Sequence, residues 1–117
     1  MIPPVTSTLS ALRAYRKSMG VTANNIANVN TDDFKKSRAS MHESVNGGVE
    51  MTVDKIDTPG HRYQVPEGDR MVVKETSNVS LEEELPNMMV DQRTYGANLK
   101  VLQTQDKMLG TMLDIVG

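Results

Sequence analysis

The sequence predicts a mainly α chain: two long antiparallel helices, N- and C-terminal and coiled-coil-like, with a small β-hairpin insert between them. Two heptad-spaced apolar stretches and one Gly-rich turn carry that reading. Over the last third, Leu81, Leu85, Met88, Gln92, Tyr95, Leu99, Leu102, Asp106, Leu109, Leu113 and Val116 alternate four-three without a break. Near the start, Val5, Leu9, Leu12, Met19, Ala23 and Ile26 keep the same spacing, interrupted only by Arg16. Between them, Asn46-Gly47-Gly48 separates a run ending at Val45 from Val49, Met51 and Val53, which alternate with polar residues as a half-buried strand does. The composition agrees, because apolar volume comes from Leu, Val, Ala and nine Met, with one Phe, three Tyr and no Trp among 117 residues. Such side chains suit helix seams better than a β-sandwich.

Taken in order, the first helix is expected over residues 5 to 28. Pro3-Pro4 can open it, Gly20 weakens its middle, and Asn28, Asn30 and the following Asp residues stop it. The middle contains the Asn46-Gly47-Gly48 hairpin, turn signals at Thr58-Pro59-Gly60 and Pro66-Glu67-Gly68-Asp69, and Met71-Val72-Val73 as a further short strand, for two or three strands in all. For the last helix, Ser80 and Glu83 form a capping box, and Glu82 to Glu84 place negative charge at the positive end of the helix dipole. Pro86 lies beyond the first turn, so the helix either bends there or restarts.

A helix from 81 to 116 is roughly 54 Å long at 1.5 Å per residue, whereas a compact domain of this size has a radius of gyration of about 13 Å. An ordinary globule is therefore excluded. Antiparallel pairing with residue 30 near residue 80 sets Tyr15 beside Tyr95 and Val5 beside Gln105, and leaves the chain beyond about 106 without a partner. That overhang carries Met108, Leu109, Met112, Leu113, Ile115 and Val116. An exposed apolar stripe of this kind marks an interface with another chain, and Leu102, Leu109, Met112, Leu113 and Val116 are the expected subunit contacts.

The net charge of −2 argues against a nucleic-acid partner, since such domains carry a basic surface. No apolar run reaches the length of a membrane span, and Met1-Ile2-Pro3-Pro4 lacks the basic and apolar regions of a cleavable signal peptide. Without cysteine there is no disulfide, thiolate metal site or cysteine nucleophile. His42 and His61 have no ligand-spaced companions, and Asp32-Asp33 and Asp54 with Asp57 lack a nucleophile, base or phosphate loop beside them. No enzyme activity, cofactor, metal or small-molecule substrate is expected. Residues 1 to 30 hold three bases and no acid, while 80 to 117 hold six acids and three bases, so the two ends attract weakly.

The run Asn24-Asn25-Ile26-Ala27-Asn28-Val29-Asn30-Thr31-Asp32-Asp33-Phe34-Lys35 resembles the N-terminal signature of the flagellar basal-body rod and hook protein family. Ser77-Asn78-Val79-Ser80-Leu81-Glu82-Glu83-Glu84-Leu85, followed by Asn87 to Lys100, resembles the C-terminal helix of that family. The short middle is similar to a proximal rod subunit. Two departures stand out: Asp33 occupies the place where the family has Gly before the aromatic, and Pro86 interrupts a normally continuous helix.

The resemblance implies that residues 1–30 with 80–117 form a helical rod core and 31–79 a β-rich insert facing outward. It assigns assembly roles to Asn24, Asn25, Ile26, Ala27, Asn28, Asn30, Thr31, Phe34, Asn78, Val79, Tyr95, Asn98 and Leu99. It also implies export without signal cleavage, a place in the periplasmic rod of the basal body, torque transmission, and partnership with itself and related rod and hook subunits. From the helix pattern alone, a soluble coiled-coil adaptor or export chaperone binding a partner helix is the alternative.

Overall fold

A computed structural model describes residues 3–117. Helix α1 runs Pro3–Ala27 and helix α2 runs Leu81–Val116. Between them lie four strands, β1 Ser37–Glu43, β2 Val49–Lys55, β3 Arg62–Glu67 and β4 Arg70–Glu75, paired as two separate antiparallel hairpins. The chain is therefore not the mainly α protein with one small hairpin that its periodicity suggests: helices take only about half of it, and the insert is two hairpins.

Of the second hairpin the sequence pattern shows the Met71-Val72-Val73 part of β4, while β3 escapes it for a physical reason. In a two-stranded ribbon every strand is an edge, so Pro66, paired with Met71, can leave its missing donor toward solvent. The same proline, with Gly68-Asp69 beside it, reads in sequence as the end of a strand rather than the middle of a ribbon. Neither helix packs against β3 or β4.

The first hairpin does pack on α1. Its register sets Ala39 opposite Val53 and Met41 opposite Met51. Ala39, Met41 and Met51 are half-buried and Val53 is exposed, with Met51 and Val53 beside Lys17, Val21 and Asn24 of α1 and Ala39 and Met41 toward Ser18. Its closest approach is at Gly48, with φ +89°, where a Cβ would overlap the Ser10 side chain. The Ser10 hydroxyl instead accepts the amide hydrogen of Val49 at 3.0 Å.

The two helices lie antiparallel in a molecule 83 × 25 × 19 Å across, with a radius of gyration of 21.0 Å. Their seam keeps only part of the apolar heptad row of the sequence. The residues of α2 that turn inward are Glu84, Met88, Asp91, Tyr95, Asn98, Leu102, Gln105 and Leu109. Met88, Tyr95, Leu102 and Leu109 belong to that row, whereas Glu84, Asp91, Asn98 and Gln105 each stand one residue before Leu85, Gln92, Leu99 and Asp106 and take their places. On α1 the facing row is Thr8, Ala11, Tyr15, Ser18, Thr22 and Asn25. Side-chain hydrogen bonds cross it: Asn25 Nδ2 to Glu84 Oε2 at 3.3 Å, Ser18 Oγ to Asp91 Oδ2 at 2.5 Å, and Thr8 Oγ1 to Gln105 Oε1 at 3.2 Å. The pairing follows the expected antiparallel register to within about one helical turn.

Helix α2 is continuous through Pro86. Ser80 is its N-cap, but the hydroxyl makes no capping bond: the Glu83 amide hydrogen goes to the Ser80 carbonyl at 3.1 Å, and the Glu83 carboxylate accepts from the Lys36 ammonium at 3.0 Å instead of closing the box. Asp33 has φ +61°, the left-handed conformation in which a glycine is unstrained. Asp33→Gly should therefore raise stability by about 0.5 to 1 kcal/mol, read as a higher urea midpoint at constant slope. An unchanged or lower midpoint would show that the aspartate is not strained there.

Candidate assembly surface

Where α1 ends and α2 begins, residues from both ends of the chain converge on a junction. Asn25 is 1% exposed; its amide nitrogen donates to the Ser37 carbonyl at 2.8 Å while its oxygen accepts the Ser37 amide hydrogen at 3.0 Å. One helix side chain thus substitutes for a neighbouring strand at the start of β1. Asn78 acts similarly: its oxygen accepts from Lys36 N at 2.7 Å, and its nitrogen donates to the Ile56 and Thr58 carbonyls at 2.8 and 2.9 Å. The Asn78 amide hydrogen goes to the Phe34 carbonyl, and Val79 beside it is buried.

Other asparagines at this end act within the turn. Asn28 donates to the Asn24 carbonyl at 2.8 Å and accepts from the Thr31 hydroxyl at 3.1 Å. Asn24, Ala27, Asn30 and Thr31 are exposed, and Ile26, Asn28 and Phe34 half-buried. The base of the second hairpin is fixed by Glu75, whose carboxylate accepts from Lys35 Nζ and from Gly60 N at 2.8 Å. These two donors hold the Glu75 carboxyl below its ordinary pKa, the lysine contributing more. Tyr63 donates to Asp32 at 2.6 Å, and that bond to a carboxylate raises the phenol's pKa.

Farther along α2 the surface changes character. Asn98 is half-buried and donates to the Thr94 carbonyl, Tyr95 and Leu102 are half-buried, and Leu99 is 40% exposed. Past the start of α1, Leu109 is half-buried, while Met112, Leu113, Ile115 and Val116 stand open at 60 to 86% exposure. Leu81, Leu85, Met89, Val90, Val101 and Met108 extend apolar exposure along the whole helix. Periodicity assigns Leu85 and Leu99 to the intramolecular seam, and only the family resemblance gives Leu99 an assembly role; both are exposed, because periodicity locates an apolar stripe without saying which chain covers it.

His42 Nε2 sits 3.6 Å from Glu50 Oε2 across the first hairpin, far in sequence from His61 in the link to the second. Among the described residues, no three His, Asp or Glu side chains gather as a metal site, and no helix is long and apolar enough to cross a membrane.

Comparison with known proteins converges on one group. Residues 7–35 match the family described as flagella basal body rod protein, and residues 72–115 match the C-terminal region of the flagellar basal body rod FlgEFG proteins. A 41-residue stretch is 46% identical to the flagellar hook protein FlgE of Escherichia coli K12 and of Salmonella typhimurium LT2. A stretch of the same length is 51% identical to the flagellar basal-body rod protein FlgG of Borreliella burgdorferi. Each alignment covers 35% of this chain, but only 10% of the hook proteins and 16% of the rod protein. These relatives are structural components of the flagellum rather than enzymes. With both matched segments at the two ends that meet in the junction, the chain belongs to the flagellar basal-body rod and hook protein family.

Proposed function

We propose that this chain is a rod subunit of the proximal type, one that assembles with copies of itself and with related subunits into a helical, torque-transmitting shaft across the periplasm. Residues 1–30 and 80–117 form the assembling core and 31–79 the outward insert. In the periplasm it works by contact alone, with no cofactor and no catalytic step.

The observation that carries this reading is the tail of α2. Leu113, Ile115 and Val116 are 71, 79 and 86% exposed, on a helix whose intramolecular partner has already ended. Burying a Leu, Ile or Val side chain releases roughly 1.5 to 3 kcal/mol, so a neighbour covering all three gains several kcal/mol. A head-to-tail contact that does not close on itself propagates as a helical filament.

Truncation after Asp106 tests the reading. The shortened chain should keep the helix pairing and both hairpins, sediment as a monomer at every concentration, and fail to restore swimming to cells lacking the full-length chain. A truncated chain that assembles and supports motility like the parent would overturn the role given to the tail. Association that stops at a small closed stoichiometry in the parent would favour an adaptor instead.

A further inference from the structure

Helix α1 has three sides with different occupants. Thr8, Ala11, Tyr15, Ser18, Thr22 and Asn25 face α2, and Ser10, Ala14, Lys17 and Val21 face the first hairpin. The remaining side carries Leu9, Leu12, Met19 and Ile26 with Arg16 and Ala23. Leu12 is buried and Met19 and Ile26 are half-buried on the flank next to the α2-facing row, so the free row is Leu9, half-buried, with Arg16 and Ala23 exposed. Helix α2 has a corresponding free row beside its polar seam: Leu85, Gln92, Leu99, Asp106 and Leu113, all exposed. By helical geometry both free rows lie on the face away from the first hairpin.

Each row has a charge with nothing to meet. Arg16 and Asp106 make no ion pair or hydrogen bond among the described residues. They cannot meet within one copy either. The bonds Ser18 to Asp91 and Asn25 to Glu84 fix Arg16 about thirteen residues short of Asp106 along α2, roughly 20 Å at 1.5 Å per residue.

We propose that the free row of α1 in one copy docks antiparallel on the free row of α2 in the next, in the register that sets Arg16 on Asp106. This rests on the self-assembly reading and names its contact. One heptad to either side, the same register places Leu9 against Leu113 and Ala23 against Leu99, so apolar residue meets apolar residue where the charge pair ends. It also brings a second α1 over the stretch of α2 that its own α1 leaves bare. Because the two pairings on α2 differ by a translation of about 20 Å, the contact cannot close as a twofold dimer, and each copy offers both halves again. Lys107 lies roughly a quarter turn off the row of Asp106 and Arg13 roughly a sixth of a turn off the row of Arg16, where its positive charge adds to the attraction for Asp106.

Sedimentation of the full chain over rising concentration tests this, with circular dichroism confirming helix content. Arg16→Glu and Asp106→Arg should each weaken association roughly tenfold, and the two together should return it to near the parent value. The cysteine-free sequence allows a second readout. Chains carrying Leu9→Cys, mixed with chains carrying Leu113→Cys and oxidised, should form the mixed disulfide, and Leu9→Cys mixed with Leu99→Cys should not. Single charge reversals that assemble like the parent, a double variant as weak as either single, or crosslinking at Leu99 in preference to Leu113 would overturn the register. If the parent itself never associates, the self-assembly reading falls and the register with it; if the parent associates and the charge pair is silent, only the register falls.

Discussion

Asn25→Ala should cost about 3 kcal/mol of folding free energy, a large effect for a single side chain in a protein with so little core. The amide fills both hydrogen-bonding positions of Ser37 and donates to Glu84. Its removal leaves a covered N–H, a covered C=O and a buried carboxylate with fewer partners, each worth roughly 1 to 3 kcal/mol when orphaned. Asn25→Asp is the sharper variant. It keeps the volume and one acceptor but sets a carboxylate against Glu84 and against the Ser37 carbonyl, so it should be at least as damaging as the alanine. Urea unfolding followed by circular dichroism reads both. A loss under 0.5 kcal/mol for either would mean that β1 is held to α1 by apolar packing and not by this amide.

Gly60→Ala should lose about 2 kcal/mol or more, for a steric reason. A Cβ at Gly60 would overlap the Thr76 carbonyl oxygen and crowd the Thr76 carbon and the Ser77 oxygen, all of them backbone that cannot rotate away. To make room, the strand leading into the second hairpin must separate from the segment leading into α2. Two bonds then break together: Gly60 N to Glu75 and His61 N to the Thr76 hydroxyl. Glu75 therefore gives a local readout, because its carboxyl is held low partly by the Gly60 amide hydrogen. In the variant, titration followed by NMR should show Glu75 moving up toward an ordinary glutamate. An unchanged titration with unchanged stability would show that the crossing is looser than its geometry.

These two positions also mark what the sequence could and could not disclose. The existence of both helices, their antiparallel sense and the first hairpin were legible, because heptad spacing over many turns and Asn-Gly-Gly between alternating residues are local signals. The face each helix uses was legible only in half. Apolar periodicity picks out Met88, Tyr95, Leu102 and Leu109, which are on the seam, but also Leu85 and Leu99, whose places are taken by Glu84 and Asn98. Glu84, Asp91 and Gln105 are bonded across the seam by hydroxyls and amides that no hydrophobicity pattern weighs. Partners of Asn25 and Asn78 are likewise nonlocal: the family motif singles these residues out, but only folding brings Ser37, Lys36, Ile56 and Thr58 to them. The glutamate half of the Ser80 and Glu83 capping signal failed for the same reason, since Lys36, distant in sequence, takes the Glu83 carboxylate.

The tail of α2 projects past one end of the molecule only, and the junction with the base of the second hairpin lies at the opposite end, while the first hairpin runs back along α1 as far as Ser10. Any linear array built from such a chain consequently has polarity. At one terminus the last copy presents bare tails, a segment too short to hold helical order strongly without a neighbour. At the other it presents rigid hydrogen-bonded junctions, so the two termini should accept newcomers at different rates.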